Sequence, residues 1–97
     1  MHARMSTFTG TPDQLDAGVA TFRSQVVPFI SQAGGLGSLL LVDRQSGKAV
    51  GITLWPDEAT MAASDERANQ LRSEATSQAG ATAPPTVERF EVAVYET

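Results

Sequence analysis

Two apolar runs near the middle of the chain, Leu39-Leu40-Leu41-Val42 and Val50-Gly51-Ile52-Thr53-Leu54-Trp55, are continuous where a half-buried strand would alternate. Strand side chains point to opposite faces with period two, so strands of this kind need cover on both faces of their sheet. Between them, Asp43-Arg44-Gln45-Ser46-Gly47-Lys48 is polar and contains a turn glycine, which makes the pair a hairpin. The segments on either side decide what can supply the cover.

From His2 to Phe8 the residues alternate, with His2, Arg4, Ser6 and Phe8 on one side and Ala3, Met5 and Thr7 on the other, and Gly10 ends this first strand. Thr11-Pro12-Asp13-Gln14 is a helix start in which Thr11 can cap the Gln14 N–H and Pro12 suits the first helical position. Leu15, Val19, Phe22, Val26 and Ile30 then recur at helical spacing until Gly34-Gly35. Pro28 interrupts this stripe, so a kink or an early end is expected near Val27. After the hairpin, Pro56 closes the strand and either Asp57 or Ser64 can cap a second helix. Its small-residue stripe is Ala59, Ala62, Ala63, Ala68, Leu71, Ala75 and Ala79. The segment 80–85, rich in Ala, Thr and Pro, reads as a mobile connector, and Val87 to Tyr95 alternates as a last strand.

Strand, helix, two strands, helix, strand is the order of a ferredoxin-like βαββαβ domain. It is an α+β fold, here one domain over residues 1–97, with a four-stranded antiparallel sheet and two helices on one face, because crossovers are right-handed. The other face is left bare, and soluble monomers rarely expose a large apolar patch. A second copy closing that face into a dimeric α/β barrel is the simplest remedy. The argument fails if the bare face carries the polar residues Arg4, Thr53, Arg89 and Glu91.

A chain of 97 residues buries only roughly 60 to 65% of its unfolded surface, which also favours help from a partner chain. Seven basic against eleven acidic residues give a net charge of −4 with no basic cluster, which argues against nucleic acid as a partner. The absence of cysteine removes disulfides, thiolate metal sites and cysteine nucleophiles, and suits a reducing cytoplasm. No apolar run reaches membrane-spanning length and the start of the chain does not resemble a secretory signal, so a cytoplasmic protein without a membrane partner is expected.

Candidate chemistry is sparse. His2 is the sole histidine and stands at the frayed start of a strand, so neither a histidine metal cluster nor a serine triad is expected. Asp65 and Glu66 are neighbours on a helix and point about 100° apart, a poor basis for one hard-metal site, and no metal is assigned. Gly34-Gly35-Leu36-Gly37 follows a helix and precedes a strand, the reverse of a phosphate-cradling loop, and reads as a helix stop. Phe8, Phe22, Phe29, Thr53, Trp55 and Tyr95, with Arg4 and Ser6, are either core residues or the lining of an apolar cleft. Trp55, at a strand end where the chain turns from sheet to helix, suits a pocket role and simple packing equally.

The segment Ile52-Thr53-Leu54-Trp55-Pro56-Asp57-Glu58-Ala59 resembles the strand-to-helix segment of the antibiotic biosynthesis monooxygenase-like proteins, and Gly34-Gly35-Leu36-Gly37-Ser38 is similar to their turn before the second strand. The resemblance implies a dimeric α/β barrel. It also implies one of several roles, among them cofactor-independent oxygenation of hydroquinone or anthrone-type rings, and haem breakdown. Thr53 stands where many members have glutamate, and about Ser64 where they have histidine. No counterpart exists for the iron-ligating helix histidine, Glu74 lying in that region. The fold resemblance together with Trp55 implies an oxygenase-like enzyme without metal, flavin or other cofactor, acting on a planar aromatic or polyketide-type substrate; Trp55 is the one residue carried over from the family, and Tyr95, Arg4 and Phe22 join it as candidate substrate-binding residues. Arg4 or Arg89 would stabilise the substrate anion, and the general base is unassigned. The alternatives are a non-catalytic small-molecule binder and a structural or stress-related dimer of the same fold.

Overall fold

The computed structural model describes residues 1–78 and 85–97. Strand β1 (His2–Thr9) leads into a 3-10 turn (Pro12–Gln14) and a helix in three parts, α1 (Leu15–Thr21), a π-helical turn (Phe22–Val26) and α2 (Val27–Gln32). Strands β2 (Gly37–Asp43) and β3 (Lys48–Trp55) follow, then α3 (Glu58–Ala63), α4 (Asp65–Gln78) and β4 (Thr86–Glu91). All pairings are antiparallel in the order β2-β3-β1-β4, with the helices on one face. This is the α+β, ferredoxin-like arrangement expected from the chain order.

Several local expectations are corrected. Thr11 makes no side-chain cap; its backbone oxygen accepts from Gln14 N at 3.0 Å instead, because the start is a 3-10 turn. Pro28 does not end the helix. The turn before it widens to π spacing, with Val27 N–H bonded to Phe22 O, and Pro28 falls at the beginning of α2 where a missing donor costs little. The second helix is two: Asp57 caps α3 by accepting from Thr60 N at 2.7 Å, and the chain breaks at Ser64. Its buried face is Met61, Ser64, Ala68, Leu71 and Arg72, whereas Ala59, Ala62 and Ala63 are exposed. The last strand stops at Glu91, short of Tyr95: Glu91 pairs with His2, the first residue of β1, and one further bond runs from Val92 N to Met1 O. Apart from Pro85, the connector read at 80–85 lies outside the described residues.

Register fixes which side chains share a face. Arg4 lies opposite Thr53 and Arg89, Ser6 opposite Gly51 and Val87, and Phe8 opposite Ala49, all on the helix side. Glu91, opposite His2, is on that side too. The open face carries Met5, Val50, Ile52, Leu54, Leu39, Leu41 and Phe90, of which Leu39, Leu41 and Phe90 are 41%, 51% and 46% exposed. The polar residues Arg4, Thr53, Arg89 and Glu91 therefore share the helix side with Phe8, Leu40, Val42 and Trp55, the open face is mainly apolar, and the condition that would have removed the argument for a second copy is not met.

Candidate functional site

Between the helix side of the sheet and the first helix lies a cavity of about 80 Å³. Phe8, Phe22, Val26, Phe29, Ile30 and Leu71 form its apolar walls, and Arg4, Ser6, Thr53 and Arg72 contribute its polar groups. Gly51 makes room for the Phe22 ring, since a Cβ there would meet Phe22 Cε2 at 3.2 Å. The π-helical turn begins at Phe22, so the widened backbone is also what presents this ring to the sheet.

Arg4 is 2% exposed. Its Nη1 donates to Asp65 Oδ1 at 2.7 Å, Ser64 Oγ at 3.0 Å and Met61 O at 3.3 Å, which ties β1 to the α3–α4 break. The guanidinium lies 5.2 Å from the centre of the Trp55 ring, a cation–π distance. Asp65 is shared, its other oxygen being 3.0 Å from Arg89 Nη2. Arg72, 9% exposed, donates to Ser6 Oγ at 3.4 Å and to Asn69 Oδ1, both neutral acceptors. Burial lowers the pKa of Arg72, the charges of Arg4 and Arg89 lower it further, and Asp65 opposes them. Burial likewise lowers that of Arg4 against the bond to Asp65. Both side chains remain cations, as guanidinium does in proteins.

The residues expected at the site separate into three groups. Arg4 and Phe22 line the cavity together. Trp55 is completely buried behind it, packed with Ile30 and Met61, and its Nε1 donates to Thr53 Oγ1 at 2.9 Å; it supports Arg4 and Thr53 and does not line the space. Tyr95, beyond the end of β4, is 58% exposed and stands outside the lining, as does Arg89. Arg72 was missed. The signal was its place four residues after Ala68 and one after Leu71, on the stripe that faces the sheet. Among the described residues no group of three His, Cys, Asp or Glu side chains could hold a metal, and the cavity lining contains no His, Asp or Glu.

The chain superposes on a monooxygenase of Streptomyces coelicolor solved in complex with nanaomycin D, with a TM-score of 0.76 at 19% identity, covering 99% of this chain and 92% of that one. This is the antibiotic biosynthesis monooxygenase-like fold. A second protein with the monooxygenase-like fold, the cofactor-independent oxygenase SnoaB of Streptomyces nogalater, matches with a TM-score of 0.67 at 18% identity over 97% of this chain and 94% of its own. At these identities the likeness is one of fold. In sequence, the uncharacterised protein Rv2557 of Mycobacterium tuberculosis is 34% identical over 94 residues, 96% of this chain and 41% of that protein. The chain thus spans about two fifths of the length of that curated relative. The sequence matches no family model.

Proposed function

We propose that this monooxygenase-like domain is a homodimeric, cytoplasmic, cofactor-independent oxygenase of a planar aromatic substrate. The observation that carries the reading is an aromatic-walled cavity into which two buried guanidinium groups, Arg4 and Arg72, are built. A phenol that binds there ionises more readily, because fixed positive charge in a poorly solvated space favours the anion. The electron-rich ring anion then transfers an electron to dioxygen, and the radical pair collapses to a peroxide at an unsubstituted ring carbon ortho or para to the ionised oxygen. Loss of water leaves a quinone: one O–H and one C–H bond break, the phenolic oxygen and the attacked carbon each become part of a carbonyl, one oxygen atom of dioxygen stays in the product and the other departs as water. The solved relatives named a monooxygenase and a cofactor-independent oxygenase support this class of reaction by fold.

Among the described residues the lining holds no His, Asp or Glu to take the substrate proton, so solvent is the acceptor in this scheme. The rate constant kcat should therefore rise with pH and level off at the pKa of the bound phenol, with no falling limb between pH 6 and 9 from a protein base. Oxygen uptake with hydroquinones and naphthols tests the proposal; a profile with a bell shape, or no uptake with any of them, counts against it. The same lack of a proton acceptor favours a second reading, a binding protein that holds an aromatic metabolite without converting it. Saturable stabilisation by an aromatic without oxygen consumption would select that reading.

A further inference from the structure

We infer that the polar end of the cavity is a carboxylate site, and that the molecule it takes is a compact monocarboxylic acid with a single ring or a short branched chain as its apolar body. The inference rests on the cavity being a small-molecule site, but not on oxygenation. Three guanidinium groups, Arg4, Arg72 and Arg89, gather around one carboxylate, Asp65. That carboxylate is already divided between Arg4 and Arg89, at 2.7 and 3.0 Å. Arg72 is left with only neutral oxygens, those of Ser6 and Asn69, and no described acidic side chain is bonded to it. A buried cation held only by neutral acceptors is costly, and the cost is recovered when an anion arrives.

The chemistry of the place selects the kind of anion. Guanidinium is a planar fork of five N–H donors matched to the two oxygens of a carboxylate, and the bonds of Arg72 to Ser6 and Asn69 occupy two of them. Ser6 Oγ, lining the same space, can turn its hydroxyl toward an incoming oxygen. Phosphate or sulfate would leave the aromatic walls unused, whereas Phe8, Phe22 and Leu71 suit a hydrocarbon body. At about 80 Å³ the space is well below the roughly 300–1,000 Å³ of sites for drug-sized ligands. The body is therefore small.

The test compares benzoate with benzamide, which has the same shape without the charge, by titration calorimetry and thermal shift on the intact chain. Benzoate should bind saturably and at least tenfold tighter than benzamide. Below the pKa of benzoic acid this preference should disappear. Arg72→Met should lower benzoate affinity at least tenfold while leaving that of benzamide unchanged; should this variant misfold, the comparison of the two ligands and its pH dependence on the unaltered protein decide alone. Equal binding of both ligands, or no stabilisation by either benzoate or isovalerate, overturns the inference. Oxygen uptake with hydroquinones is read separately. Benzoate binding without uptake keeps the carboxylate site and removes the oxygenase, and uptake without benzoate binding does the reverse.

Discussion

Arg4 reaches three oxygens through one nitrogen and lies over the Trp55 ring, so β1, β3 and the break between α3 and α4 meet at a single side chain. Asp65→Asn leaves that guanidinium buried with no adjacent carboxylate. Because Asp65 is itself 31% exposed, the loss is smaller than for a fully buried pair, about 1–3 kcal/mol, and urea unfolding should show it as a lower midpoint at an unchanged slope. Trp55→Ala removes the largest fully buried side chain and should cost about 3–5 kcal/mol in the same experiment. A Trp55→Ala protein of unaltered stability would mean that the ring is not the packing centre described here. At this scale the sequence was only half readable. Arg4 and Phe22 alternate or repeat in patterns that point them to the helix–sheet interface. Trp55 looked equally suited to lining and to packing, since the choice depends on Ile30 and Met61 arriving from two other segments. Arg72 went unmarked because its burial comes from β1, 66 residues earlier.

The turns and caps hold the elements in place by backbone geometry. Gly47 closes the β2–β3 hairpin with φ of +83°, and a Cβ there would sit 2.5 Å from Gly10 O. Gly47→Ala therefore meets both conformational and steric resistance and should cost about 2 kcal/mol or more, seen as a fall in Tm of several degrees. Asp57 caps α3, and the Thr60 N–H bonded to it holds its carboxyl below the usual carboxylate range. A group whose folded pKa is depressed contributes stability above its unfolded pKa, about 3.9, and loses it as pH falls through the lower folded value. The stability gap between the protein and Asp57→Ala should accordingly be full at pH 6 and narrow on acidification below about pH 4, as followed by circular dichroism during urea unfolding. The order and kind of elements were legible because alternation, helical spacing and turn residues are local signals. The π-helical turn was not, since it is a response to Pro28 together with the demand that Phe22 reach Gly51. Nor was the division of the second helix, where Ser64 turns inward to accept from Arg4 and to donate to Met61 O at 2.7 Å.

For the molecule as a whole, the distribution of polarity across the sheet is the main energetic fact. Leu39, Leu41 and Phe90 stand exposed beside Met5, Val50, Ile52 and Leu54, and a second copy laid on this face would remove that surface from water. In the proposed dimer, Leu41→Lys should shift sedimentation from two chains to one, and Arg67→Ala on the helix side should leave it unchanged. A protein that sediments as a monomer at micromolar concentration before any substitution would remove the dimer from the proposal.

The strand order carries a consequence for how the chain reaches its final state. β1 precedes both of its neighbours in the sheet, β3 and β4, and its partners in the second of them lie 79 to 89 residues further along the chain. During synthesis β1 has no strand to bond with until β3 is made, and the ion pair that seats Arg4 becomes possible only after residue 65 has emerged. Long chain closures of this kind slow folding, so the nascent chain spends an extended interval with an unpaired strand and an unneutralised arginine. Ribosome-bound fragments ending before β4 should therefore be protease-sensitive along their whole length, with resistance appearing in one step once β4 is exposed.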